Sequence, residues 1–533
     1  MNGFFAKPSP LLQRFAPWII VAVALVVLLP GTATIPLIDR DEPRFASATR
    51  EMMHGEHANW VVPYFNGEYR FDKPILIYWM MRASYAAFGI NEFSARLPSV
   101  LCAIALALLL YRVGKRWFST EAGLLAGVSL ITCVQLLMHG RSAVADMPMV
   151  LAIAIAQFAA FDLLTPDESL TTKQKWKKFF ILYFALGLGF LAKGPIALVV
   201  PLVTILFYRF VFWRQKLPWK NLHLLVGAKI TLFIIAAWGI PALLATHGLF
   251  FKIGVGEHVV ERGSIAMQGH GGGYLYYLGM AFLSLCPWIA CAGQTAVATK
   301  QNWNAKTAFL VSWLAATYLL FTLYVTKLPH YVLPAFPAFF LLLGLLAQTE
   351  TTPRWSRVFF WIVIALFALI GLVVPPVLGA TLLVVALRRN RFVLAAIGIV
   401  VIGVGMLLLA VNLRATTATM RLLPLFQKLP EQTQCAAPPS FREPSLVFYS
   451  DRHWNFTLSA ETLPAWMNAG GPRLVVCAER ETKLGGPKNN WKRVADYSSE
   501  IALLPTNGWQ QVTVEGFNIG RASWVRLHAF YRP

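Results

Sequence analysis

Apolar residues fall in long blocks through the first four fifths of the chain, with short polar stretches between them. At roughly 20 apolar residues per membrane crossing, the pattern predicts about 13 transmembrane helices. They lie at 16–36, 97–112, 122–139, 143–163, 178–191, 195–212, 222–246, 273–292, 307–325, 330–348, 357–374, 376–387 and 391–413. Joints such as Lys193-Gly194-Pro195 and Pro375-Pro376 predict tight turns between helices. The first block follows Lys7 and Arg14 like a signal peptide, but it is long and lacks a small-residue cleavage site, so it is read as an uncleaved first span. After residue 413 the pattern changes. Apolar runs become short and alternating, at 445–450, 473–477, 491–497, 510–515 and 524–531, with turns at Gly470-Gly471-Pro472 and Gly485-Gly486-Pro487. This predicts a small soluble α/β domain. The expected division is therefore a membrane domain at 1–413 and a soluble domain at 414–533.

Composition agrees with a polytopic membrane protein. Of 533 residues 57% are hydrophobic and only 14% charged, against about 25% in an ordinary soluble domain. The net charge of +22 invites a nucleic-acid reading, but its placement argues against one. Lysines and arginines cluster in alternate loops, among them Lys115 and Arg116, Lys173 to Lys178, Arg209 to Lys220, and Arg388 to Arg391. That is the positive-inside pattern. With the N-terminus cytoplasmic, the segments 37–96, 140–142, 192–195, 247–272, 326–329 and 414–533 are expected outside. Cys102, Cys133, Cys286 and Cys291 sit in apolar blocks as packing residues. Cys435 and Cys477 lie in the outer domain, where they either pair or remain thiols.

Charge then singles out the opening outer loop. The stretch 39–79 holds seven carboxylates (Asp39, Asp41, Glu42, Glu51, Glu56, Glu68 and Asp72) of the chain's 25. Clustered acids before a helix are an ordinary capping arrangement, so Glu42 reads as a cap and Asp39 as a surface acid. A carboxylate pair there could instead bind a metal, or orient and deprotonate a hydroxyl. Asp146, in RSAVADMPM, is the one carboxylate on a span near the outer surface. A carboxylate in that place marks a functional site, unless it pairs structurally with Arg141. Basic residues on the outer side include Lys73, Lys193, Arg262 and Lys327. Each has either an anionic partner such as a phosphate or lipid headgroups to snorkel to; for Lys193 and Lys327 the headgroup is the simpler partner. Tyr331, just after Lys327, either adds a hydroxyl to the same phosphate or is an interfacial aromatic. The Gly- and His-rich loop 247–272 is expected to be a mobile outer loop, without metal or phosphate-loop spacing.

These stretches resemble a known family. DEPRFASATREMM, NWVVPYFNGEYRFDKPILIYW and FGINEFSARLPS are similar to the first outer loop of the polyprenyl-phosphate-sugar GT-C glycosyltransferases. That family is typified by the lipid A aminoarabinose transferases and related to the protein O-mannosyltransferases. RSAVADMPM, AKGP and KLPHYVLPAFPA resemble its later motifs, over roughly residues 30–345. The resemblance implies a GT-C membrane fold with a C-terminal outer domain, in the bacterial inner membrane, with the site and that domain periplasmic. It implies a sugar moved from a polyprenyl phosphate to an acceptor hydroxyl or phosphate on lipid A, a glycan or a protein. It assigns catalysis to Asp41 and Asp146, and it places Lys73, Arg262 and Tyr331 at the lipid phosphate. Glu42, Arg44, Asp72 and Lys327 complete the expected substrate-binding set. No metal, no cofactor beyond the donor, and a monomer are expected. Two departures stand out: Asp72 where the family usually has Glu before Lys-Pro, and Phe45 where it usually has Tyr after Arg. A transporter or flippase also fits the number of spans, but it predicts ionisable residues at the midplane and an internal repeat, and neither is visible. A ligand-sensing scaffold leaves the charge of the opening loop without a purpose.

Overall fold

The protein is described by a computed structural model covering residues 10–165, 171–254, 272–349, 352–459, 461–483, 491–492 and 508–533. It folds as two compact units. One comprises Met1–Pro30, Phe71–Met80 and Arg96–Leu407, the other Gly31–Arg70, Met81–Ala95 and Leu408–Pro533. Most of the opening loop falls in the same unit as the C-terminal region.

The first unit is helical. Among the described residues, seven helices are long and apolar enough to cross a membrane: Glu92–Trp117, Asp146–Leu164, Trp219–Ala245, Ala305–Leu323, Pro329–Ala347, Arg354–Gly371 and Phe392–Thr416. The pair Tyr276–Ser284 and Trp288–Gln301, bent by 110°, would make an eighth. Gln13–Leu28, Thr120–Thr132, Ile196–Phe212 and Pro375–Arg388 are shorter apolar helices. Every one of the 13 expected segments holds helix. The segment 122–139 is interrupted at Cys133, which is extended. Val134 N–H there donates to Cys286 O at 2.9 Å, and Trp288 Nε1 donates to Thr132 Oγ1 at 3.0 Å. The Asp146–Leu164 helix is largely apolar, and 89% of the residues in its most apolar stretch are buried, as befits the centre of a bundle. It packs along Thr172–Lys193. Gly189 allows this close approach: a Cβ there would stand 2.8 Å from that of Ala197 and 3.4 Å from that of Ala152.

In the second unit, Glu42–Glu51 forms a helix followed by a two-stranded hairpin, Tyr64–Phe65 with Glu68–Tyr69. Its turn is Asn66-Gly67, both at positive φ (58° and 76°), the pair that a tight hairpin favours. Glu51 holds the turn by accepting from Asn66 N at 2.7 Å and Gly67 N at 3.1 Å. The C-terminal sheet runs Trp454–Asn455, Gln434–Ala436, Arg473–Lys483, Ser523–Arg532, Gln510–Asn518, with Trp491–Lys492 also paired to Arg473–Lys483. The first three strands are parallel and the last pairings antiparallel. The alternation read over 473–477, 510–515 and 524–531 is therefore strand. The run 445–450 is instead a helix, Pro444–Ser450. Pro444 fits a first helical turn, and burial on most sides removes the one-face pattern that alternation implied.

Cys435 and Cys477 do not pair; both are free and buried. Cys435 packs in a core with Leu474 and Val476, whereas Cys477 packs in another with Ala436 and Val475. Adjacent strand residues face opposite sides of a sheet, so the two thiols face opposite layers. Cys435 is in register with Leu474, and three residues of strand put Cys477 about 10 Å further along, beyond the reach of about 7 Å for a disulfide. Counting thiols by alkylation and mass measurement, without reductant, should find both unmodified by oxidation.

Candidate functional site

In the first unit a buried polar cluster forms where several helix ends meet. Asp146 is the first residue of its helix and is buried. A carboxylate there complements the positive end of the helix dipole. Lys193 is the last residue of Thr172–Lys193, which stops at Gly194 with φ +77°, followed by Pro195. A cation at that end complements the opposite pole. Lys193 Nζ meets Asp146 Oδ1 at 2.5 Å, with both side chains largely buried. The cation expected for a structural pairing of Asp146 was Arg141; the structure supplies Lys193.

Aromatic and imidazole groups surround the pair. Lys193 Nζ lies 5.8 Å from the centre of the Tyr331 ring, a cation–π distance. His330 and Tyr331 begin the turn Pro329–Ala335, with ring centres 5.1 Å apart. His139 ends the short helix Val134–His139, and its ring lies 4.9 Å from His330. Gln135 Nε2 bonds His139 Nδ1 at 3.0 Å, and Gln135 Oε1 accepts from Ser284 Oγ at 3.1 Å. The charge of Asp146 is felt by both histidines, and that of Lys73 reaches His330. Lys73 Nζ donates to the carbonyl of Asp72 at 2.9 Å. The cluster thus joins Asp146, Lys193, His139, His330 and Tyr331.

Lys327 plays a different part. Its buried ammonium donates to Thr322 O at 2.7 Å and Tyr324 O at 2.8 Å, so it caps the end of Ala305–Leu323. An ammonium has three donors, and two are spent on this cap. Arg262 lies outside the described residues, as does most of the 247–272 loop.

The remaining expected residues stand in the second unit. Asp41 occupies the N-cap of Glu42–Glu51 and is exposed, with no side-chain capping bond. Glu42 is buried, and its Oε2 accepts from Ile38 N at 2.8 Å, so it closes the chain back onto itself before the helix. Arg44 is half-buried on the same helix. Asp39, read as a surface acid, is half-buried and bonded twice to Ser445. Sequence reasoning discounted Lys193 and passed over His139 and His330. AKGP and KLPHYVLP carried the signal for Lys193 and His330, and His139 sits just ahead of RSAVADMPM. Among the described residues no three His, Cys, Asp or Glu side chains gather as a metal site.

Residues 72–240 match the dolichyl-phosphate-mannose-protein mannosyltransferase family. The undecaprenyl phosphate-alpha-4-amino-4-deoxy-L-arabinose arabinosyl transferase of Enterobacter sp. (strain 638) is 30% identical over 64% of this chain and 61% of its own length. That of Erwinia tasmaniensis is 31% identical over 62% of this chain and 59% of its own. The chain thus matches about three fifths of the length of these relatives. Among solved structures, ArnT from Cupriavidus metallidurans bound to undecaprenyl phosphate superposes with a TM-score of 0.77 at 19% identity, over 96% of this chain and 97% of that one. The oligosaccharyltransferase AglB from Archaeoglobus fulgidus has a TM-score of 0.52 at 11% identity, over 87% and 69%. The likeness to these solved structures carries the fold.

Proposed function

We propose that this protein is a membrane glycosyltransferase that moves a sugar from a polyprenyl phosphate to an acceptor hydroxyl or phosphate at the outer, periplasmic face of the inner membrane. The observation that carries this reading is the buried Asp146–Lys193 pair beside Tyr331 and His330. Ionisable groups inside a membrane protein are costly and mark its working site. Here they collect where helices begin and end, as a headgroup-binding site requires.

In the proposed reaction Asp41 orients or deprotonates the acceptor hydroxyl, which attacks the anomeric carbon. The bond from that carbon to the phosphate oxygen breaks, and negative charge builds on the departing lipid phosphate. Lys73, Arg262 and Tyr331 stabilise it. Asp146, held by Lys193, stands on the donor side. Lys327 keeps one N–H for the same phosphate, and Glu42, Arg44 and Asp72 complete the binding surface. Cations and hydroxyls suffice for this chemistry, so activity is expected to survive excess chelator; loss of activity restored by a divalent ion would overturn that part.

Lys73→Gln tests the reading directly. Loss of one charged hydrogen bond costs about 1.5–3 kcal/mol, so undecaprenyl phosphate should bind roughly 10- to 100-fold more weakly. Unchanged affinity would remove Lys73 from the phosphate site. A narrower reading takes lipid A as the acceptor and 4-amino-4-deoxy-L-arabinose as the sugar; the names of the matched relatives favour the sugar and its undecaprenyl phosphate carrier.

A further inference from the structure

We propose that Asp39 is a positioning residue, clasping the segment 37–41 to the Pro444–Ser450 helix and so fixing where Asp41 stands. The proposal rests on the role given to Asp41 above. Asp39 Oδ1 accepts from Ser445 N, and Oδ2 from Ser445 Oγ, each at 2.8 Å. Two residues earlier, Leu37 N donates to Tyr449 Oη at 2.8 Å, on the same short helix. Arg50, at the far end of the Asp41-capped helix, donates to the carbonyls of Val447 and Phe448 and pairs with Asp451 at 2.9 Å. The chain on both sides of Asp41 is therefore tied to one element about 400 residues away, while Asp41 itself makes no capping bond. Such an arrangement suits a group whose side chain must stay available and whose backbone must not wander.

The clasp is also charged in a particular way. Glu443 stands beside Asp39, and Arg521 pairs with Glu443. Gly520 lies against Asp39, where a Cβ would come within 2.9 Å of its carbonyl oxygen. Arg40, Asp41 and Glu42 are the charged neighbours on its own segment. Burial first, and then the Glu443 carboxylate, push the Asp39 carboxyl up from 3.8 to about 7. The folded protein therefore holds this proton more tightly than the unfolded chain. The contribution of the group to stability is fully present below the unfolded value and falls as pH rises from about 4 to 7. The Ser445 bonds favour the carboxylate, but burial and Glu443 outweigh them, so the clasp weakens as pH rises toward 7. Asparagine reproduces the neutral form: its oxygen accepts from Ser445 N and its amide donates to Ser445 Oγ.

The test compares the full-length wild type with Asp39→Ala, Asp39→Asn and Ser445→Ala, reading trypsin cleavage at the exposed Arg40 and the kinetics of transfer. Asp39→Ala and Ser445→Ala should speed cleavage after Arg40 and lower kcat roughly tenfold, as a small misplacement does, with donor KM within about twofold. Asp39→Asn should restore slow cleavage and kcat. Relative to Asp39→Asn, the wild type should open faster and turn over more slowly as pH rises toward 7, and level off above it. Equal cleavage in the wild type and Asp39→Ala, or a ratio of wild type to Asp39→Asn that does not change with pH, would overturn the proposal. If no polyprenyl-phosphate sugar is transferred at all, the proposed function fails, and cleavage at Arg40 alone decides whether the clasp exists.

Discussion

Lys193→Met is expected to cost about 3–5 kcal/mol of stability, because it strands the Asp146 carboxylate in a buried site. Lys193 Nζ is the cation at 2.5 Å from Asp146 Oδ1, and the carboxylate lies at the head of a deeply buried helix. Asp146→Asn removes the charge but keeps the shape, so it should be the milder change for the fold. Combining Asp146→Asn with Lys193→Met should recover much of the stability that Lys193→Met alone loses, since neither charge is then left alone. Activity should not follow stability. If Asp146 works on the donor, both Asp146→Asn and the double variant are expected to lose at least about 100-fold in transfer, although both remain folded. Thermal unfolding in detergent, read beside initial rates, separates the two effects. Recovery of activity together with stability in the double variant would make the pair structural.

Asp41→Asn should show the opposite balance. Asp41 is exposed and makes no capping hydrogen bond, so its replacement should change stability by no more than about 0.5 kcal/mol, the usual range for a surface site. Removing a general base costs about 100- to 10,000-fold in rate. A large loss of kcat with an unchanged unfolding midpoint is therefore expected. A wild-type rate in Asp41→Asn would take Asp41 out of the mechanism.

How much of this was visible in the sequence depended on how far apart the partners lie. Asp146 stood out because a carboxylate on an apolar helix has an energetic cost that composition alone reveals. Its partner did not, because pairing with Lys193 needs the helices Asp146–Leu164 and Thr172–Lys193 to pack side by side with opposite ends together. Until that is known, a lysine before Gly-Pro looks like a headgroup contact. His139 and His330 are 191 positions apart in the chain (330 − 139), and no periodicity joins them. Asp39 was taken for a surface acid because Ser445 is 406 positions away. The helix blocks were legible since lipid-length apolar runs allow little else. The run 445–450 was not, because six residues of buried sequence fit a strand and a short helix equally well. The same distance hid the fate of the opening loop. Its sequence places it between two membrane blocks, whereas its partners Ser445, Tyr449 and Asp451 lie beyond the last one.

The central claim is that the polar cluster and Asp41 serve sugar transfer from a lipid phosphate. Its most direct test is mass spectrometry of the purified protein's products with a panel of polyprenyl-phosphate sugars and lipid A, glycan and peptide acceptors. The account predicts that one donor gives an acceptor heavier by one glycosyl unit and releases polyprenyl phosphate, and that Asp41→Asn and Asp146→Asn give neither product. Transfer that persists in both variants, or no transfer from any donor by the folded wild type, would contradict it.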